Sequence, residues 1–151
     1  PAGVIQGCDS KMMVVDFQQQ GNFVMPELST PLARNPAAGQ ALTKATLRAA
    51  GLLGLSNAAL ARVVGLSEST VSRMASGARQ LEIGTKPAEL GALLVRVYRS
   101  LDALVGNSDQ HRLAWMSSFN RAFNAAPRDA IQRVEGLAQV VRYLDTARAI
   151  A

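Results

Sequence analysis

Cysteine, histidine and lysine are scarce in this 151-residue chain, and each scarcity closes off a class of chemistry. The one cysteine, Cys8, cannot form an intramolecular disulfide or a multi-cysteine zinc cage. With no basic neighbour but Lys11, it reads as functionally idle. The one histidine, His111, stands beside Arg112 with no sequence cue tying it to a nucleophile or a carboxylate, so it reads as a surface or capping residue. No His, Cys and carboxylate set has ligand spacing, so neither a metal nor another cofactor is expected, and the chain does not read as an enzyme. Aromatics make up 5% of the residues, too few for a platform that stacks single-stranded nucleic acid. No apolar run approaches the roughly 18 residues of a membrane span. Pro1 is not followed by a charged, then apolar, then small-residue leader pattern. The expectation is a cytoplasmic protein with no membrane partner.

What is present is a globular composition, 48% hydrophobic and 18% charged. The length suits one domain, or two small ones sharing a continuous core. Sixteen basic residues face 11 acidic ones, a net charge of +5 that favours a polyanionic partner. Only Lys11, Lys44 and Lys86 are lysine. The rest are arginine, whose planar fork matches phosphate, carboxylate and guanine.

Residues 1–36 read as an N-terminal arm. Met12 to Val15 is a short apolar run, Asp16 to Asn22 is polar and unpatterned, and Pro26, Pro31 and Pro36 punctuate the approach to the first helix. Beyond it no segment shows sustained strand alternation, and the expected fold class is all-α. Ala41, Leu42, Ala45, Leu47, Ala49, Leu52 and Leu53 mark a first helix that stops near Gly54. Ser56 is placed to cap a second helix through Val64, and Ser67 a third through about Ala75. Gly84-Thr85-Lys86-Pro87 is the expected boundary, dividing residues 37–85 from 86–151. After it Leu90, Leu94, Val97, Leu101 and Leu104 form a seam for another helix, in this chain or in a twin. Pro127 suits the first turn of a short helix, and Leu137, Val140, Val141, Leu144 and Ala147 line a last one that Gly136 precedes or interrupts.

Residues 57–76 carry the most information. Two short helices crossing steeply need a small residue at the crossing, supplied by Ala61, and a turn tolerant of positive φ, supplied by Gly65. Leu60, Val64, Leu66, Val71 and Met74 then all point inward. Leu60-Ala61, Gly65-Leu66-Ser67 and Thr70-Val71-Ser72-Arg73 resemble the Xre-type helix-turn-helix family. The resemblance implies a recognition helix from about Ser67 to Ala75 in the DNA major groove, with Ser67, Glu68, Ser69, Ser72 and Arg73 toward the operator. Arg73 suits guanine or a phosphate, the serines suit phosphate or mixed contacts, and Arg79 the backbone. A homodimer is expected, since one such unit makes few contacts, and the leucine seam is a candidate dimer surface. Burial of that seam against the carboxy-terminal helices is the other reading.

The carboxy-terminal region reads Leu113-Ala114-Trp115-Met116, Asn120, Phe123, Pro127, Ile131, Glu135-Gly136, Val140-Val141 and Tyr143-Leu144. It resembles the toxin-binding domain of the Xre/MbcA/ParS antitoxins. It departs from them at Phe119 to Asn124, which stands in place of the family's proline-asparagine and double-glycine turn. The order of the two regions is similar to that of antitoxins paired with RES-domain toxins, which consume NAD. What this resemblance implies is that Arg142, Tyr143, Thr146, Arg148 and Ile150 dock on such a toxin and block its substrate pocket, while the amino-terminal half represses the operon. The alternatives are a free-standing dimeric repressor with no toxin partner, and an inhibitor whose helix-turn-helix is only scaffold.

Overall fold

Seven helices follow one another through residues 36–150, the part of the chain that this computed structural model describes, with Ile150 described by its backbone alone. The arm up to residue 35, including Cys8, the Met12 to Val15 run, Pro26 and Pro31, lies outside the described residues, as does the side chain of Ile150, while Pro36 opens the first helix. Among the described residues there is no strand, only an isolated bridge between Asn120 and Ala125. The all-α expectation holds.

Helix α1 (Pro36–Leu52) buries a face that its hydropathy does not advertise. Gly39, Thr43, Thr46, Ala49 and Ala50 turn inward, while Leu42 and Leu47 are only half-buried. The threonines tolerate burial because each hydroxyl donates to the carbonyl one turn back, Thr43 to Gly39 at 2.7 Å and Thr46 to Leu42 at 2.8 Å. Small side chains on that face let α4 (Lys86–Val105) lie close, with Gly91 beside Thr46. The helix ends in paired bonds from Leu55 N–H to the Ala50 carbonyl and from Gly54 N–H to that of Gly51.

Helices α2 (Asn57–Val64) and α3 (Glu68–Ala75) form the expected pair, and their ends fall where the serine caps placed them. Helix α4 starts after Thr85, with Pro87 in its first turn, and stops at Gly106. Helices α5 (Asp109–Ser117), α6 (Pro127–Ala130) and α7 (Val134–Ile150) complete the chain. Gly136 lies within the first turn of α7 rather than before it, packed on the Ala130 carbonyl so closely that a Cβ would overlap it.

The leucine seam is consumed inside the chain. Leu94, Val97 and Leu101 are buried and belong to one apolar cluster with Leu60 and Val64 of α2, Met116 of α5, Ile131, and Leu137, Val140 and Leu144 of α7. A twin would have to displace α7 to reach Leu94, Val97 and Leu101. The ends of the seam lie nearer solvent, with Leu90 half-buried and Leu104 exposed. The core runs without interruption from the helix-turn-helix into the carboxy-terminal helices.

Candidate functional sites: a recognition helix and an aromatic groove

The α2–turn–α3 unit is built from local chemistry. Ser56 accepts from Ala59 N–H at 3.2 Å, and Ser67 from Thr70 N–H at 3.2 Å, each relieving an orphan amide at a helix start. Gly65 adopts φ 69°, the left-handed conformation that turns the chain from α2 into α3. Leu60, Ala61, Val64, Val71 and Met74 are all buried, as the crossing requires, and Leu66 is half-buried.

That packing turns one face of α3 outward. Glu68, Ser69, Ser72 and Arg73 are all exposed there, and Arg79 is exposed beyond the turn at Gly77. Arg73 makes only a 3.5 Å approach from Nη2 to Thr70 Oγ1, so its guanidinium is available to a ligand. Ser67 is different. Its hydroxyl is engaged with Thr70 Oγ1 at 2.8 Å and Ser69 Oγ at 3.0 Å, besides capping α3, so its first duty is to the helix. Glu68 sits in the first turn, where the helix dipole favours a carboxylate.

The second site lies on α7. Arg142, Tyr143 and Thr146 line one open groove of about 570 Å³ together with Ala122, Phe123 and Gln139. Its two aromatic lining residues belong to a trio of rings, with Phe123 and Tyr143 5.2 Å apart and steeply tilted, Trp115 and Phe123 centred 6.3 Å apart, and Trp115 and Tyr143 6.4 Å apart. Tyr143 remains 41% exposed, so the groove presents an aromatic edge to solvent.

The wall opposite α7 is the segment from Asn120 to Ala125. Asn120 Oδ1 accepts from Ala122 N–H at 2.9 Å, its backbone N–H donates to the Ala125 carbonyl at 3.0 Å, and Asn124 takes φ 51°. An asparagine thus stands in a left-handed position, which its short polar side chain tolerates. Gln139 Nε2 then donates to the Ala122 carbonyl at 2.6 Å and pins this loop to α7.

Arg148 does not join that groove. It faces α4, where Nη1 donates to Ser100 Oγ at 3.3 Å beside Asp145, itself paired with Arg96 at 2.6 Å. Arg148 and Arg142 are six residues apart, which sets them on different faces of a helix of 3.6 residues per turn. The predicted set is therefore divided between two surfaces.

Sequence reasoning missed Arg112. Its side chain is 3% exposed and bridges Asp102 at 2.5 Å and also Asp109, while Nε donates to the Leu52 carbonyl at 3.0 Å. The guanidinium also lies over the Tyr98 ring, 5.3 Å from its centroid. Arg62 makes a second tie, from Nη1 to Gln132 Oε1 at 2.9 Å. Both bonds join the amino-terminal helices to the carboxy-terminal region, Leu52 of α1 to α5 and Arg62 of α2 to the turn before α7.

Residues 35–99 match the antitoxin Xre-like helix-turn-helix domain, and residues 100–149 match the antitoxin Xre/MbcA/ParS C-terminal toxin-binding domain. A helix-turn-helix and a toxin-binding region in one chain define an antitoxin of a toxin–antitoxin pair. The chain belongs to the Xre-type antitoxins, and its partner is a toxin. No curated protein matches it. The junction of the two matches falls inside α4, between Arg99 and Ser100.

Proposed function

We propose that this antitoxin neutralises a RES-domain, NAD-consuming toxin by docking its carboxy-terminal region over the toxin's active site, and that it represses its own operon through α3. The observation that carries the docking half is the convergence of Arg142, Tyr143 and Thr146 with Phe123 on one groove, within the residues that match a toxin-binding domain. Aromatic side chains and a free arginine are the groups that anchor protein interfaces. In this reading the aromatic edge supplies buried area and Arg142 engages a carboxylate or phosphate-binding feature at the toxin's pocket.

Residues 37–85 carry the DNA contacts and residues 86–151 the toxin contacts, in a homodimer acting in the cytoplasm. Support for DNA binding comes from the exposed Ser69, Ser72, Arg73 and Arg79 and from the net charge of +5. No catalytic role is assigned to the chain itself. The test is an NAD-consumption assay on the product of the adjacent gene. Addition of this chain in equimolar amount is expected to abolish NAD loss, and undiminished loss refutes the reading.

A further inference from the structure

A groove of about 430 Å³ separates α1 from the end of α3, and nothing above assigns it a role. Its polar rim is Gln40 and Lys44 on one side and Arg79 and Gln80 on the other, with Met74 at its floor. No carboxylate lines it; Glu82 lines the adjoining groove instead. All four rim side chains are exposed. Two cations and two amides with no counter-charge make a site for an oxyanion.

The two walls are also held rigidly. Leu81 N–H donates to Thr43 Oγ1 at 2.8 Å, while that hydroxyl donates to the Gly39 carbonyl at 2.7 Å. A Cβ on Gly39 would lie 2.6 Å from the Leu81 carbonyl oxygen, so only glycine permits this approach. Ala78 and Arg79 N–H both donate to the Arg73 carbonyl, at 2.9 and 3.2 Å, and tie the rim to the recognition helix itself. The spacing between the backbone segments that carry Lys44 and Arg79 is set by the fold before any ligand arrives, which reduces the ordering cost of binding.

We propose that Lys44 and Arg79 clamp one backbone phosphate of duplex DNA, with Gln40 and Gln80 as hydrogen-bond donors, at the flank of the base steps that α3 reads. This rests on the DNA-binding reading and adds Gln40, Lys44 and Gln80 to it. The occupant is a DNA phosphate because Met74 and Ala75, at the end of α3, line the groove, and a helix seated in the major groove runs between phosphate ridges.

The experiment measures affinity of the full chain for the DNA upstream of its own gene, and for scrambled DNA, at salt concentrations of about 50 to 200 mM. Replacement of exposed Lys44 by alanine is expected to lower the log–log salt slope by about one while leaving the preference for upstream over scrambled DNA intact. Arg73→Ala, in contrast, is expected to reduce that preference. A wild-type slope in Lys44→Ala overturns the clamp and leaves the DNA reading standing. Absence of DNA binding by the wild-type chain overturns both.

Discussion

A guanidinium as deeply buried as that of Arg112 persists only if its donors are spent. Nε meets the Leu52 carbonyl, the two terminal nitrogens meet Asp102 and Asp109, and the ring of Tyr98 covers its face. Arg112→Met removes every one of these bonds and strands the partly buried Asp102. We expect a loss of about 3 kcal/mol, the lower end for a broken buried pair. Asp109 is 77% exposed, so Asp109→Asn should cost at most about 1 kcal/mol. Urea titration separates the two, and equal losses would show that Arg112 is not a hub. Arg73 is the opposite case, exposed and nearly unpartnered. If it forks onto a base, Arg73→Ala lowers operator affinity by about 1–3 kcal/mol, and unchanged binding in a mobility assay removes it from the interface. The Leu52 and Asp102 bonds of Arg112 were not legible beforehand, because those partners stand 60 and 10 residues away in sequence, whereas Asp109 lies one helical turn back.

At the scale of elements, legibility tracked locality. The α2–turn–α3 unit was readable to the residue because caps, the small crossing residue and the positive-φ glycine all act within a few positions of one another. Helix α1 was legible in extent but not in facing. Its leucines outrank its threonines in hydropathy, yet the hydroxyls are satisfied locally and the small Thr43–Thr46 face is the one that fits against Gly91. The seam on α4 left two partners open, since periodicity fixes a buried face without naming what buries it. The structure gives it to α7 and α2 of the same chain. Leu94→Ala should therefore cost about 2–5 kcal/mol by leaving a cavity, with the oligomeric state unchanged, whereas Leu104→Lys should stay within about 0.5 kcal/mol. A Leu94 variant that stays folded but has a smaller assembly size than the wild type by light scattering would give the seam to a dimer interface.

On the scale of the whole molecule, both family regions share one apolar core, crossed by the Arg112 and Arg62 ties. Deleting residues 107–151 would uncover Leu94, Val97 and Leu101, so truncation tests folding before it tests partnership. Point changes on the exposed groove avoid this. The shared core also means that the proposed toxin groove on α7 and the proposed DNA face of α3 are carried by a single packed body. The groove was half legible. Arg142, Tyr143 and Thr146 were named by resemblance, but the wall built by Phe123, Ala122 and Gln139 depends on a loop held by a bond between residues 17 apart in sequence.

The most direct measurement is capture of the tagged adjacent gene product by the full chain, wild type against the exposed double variant Arg142→Glu with Thr146→Arg, with thermal melting of both chains as the folding control. The account predicts firm capture by the wild type, capture by the variant reduced at least tenfold, and equal melting temperatures. Capture by the variant at the wild-type level, with melting unchanged, would contradict docking on this groove.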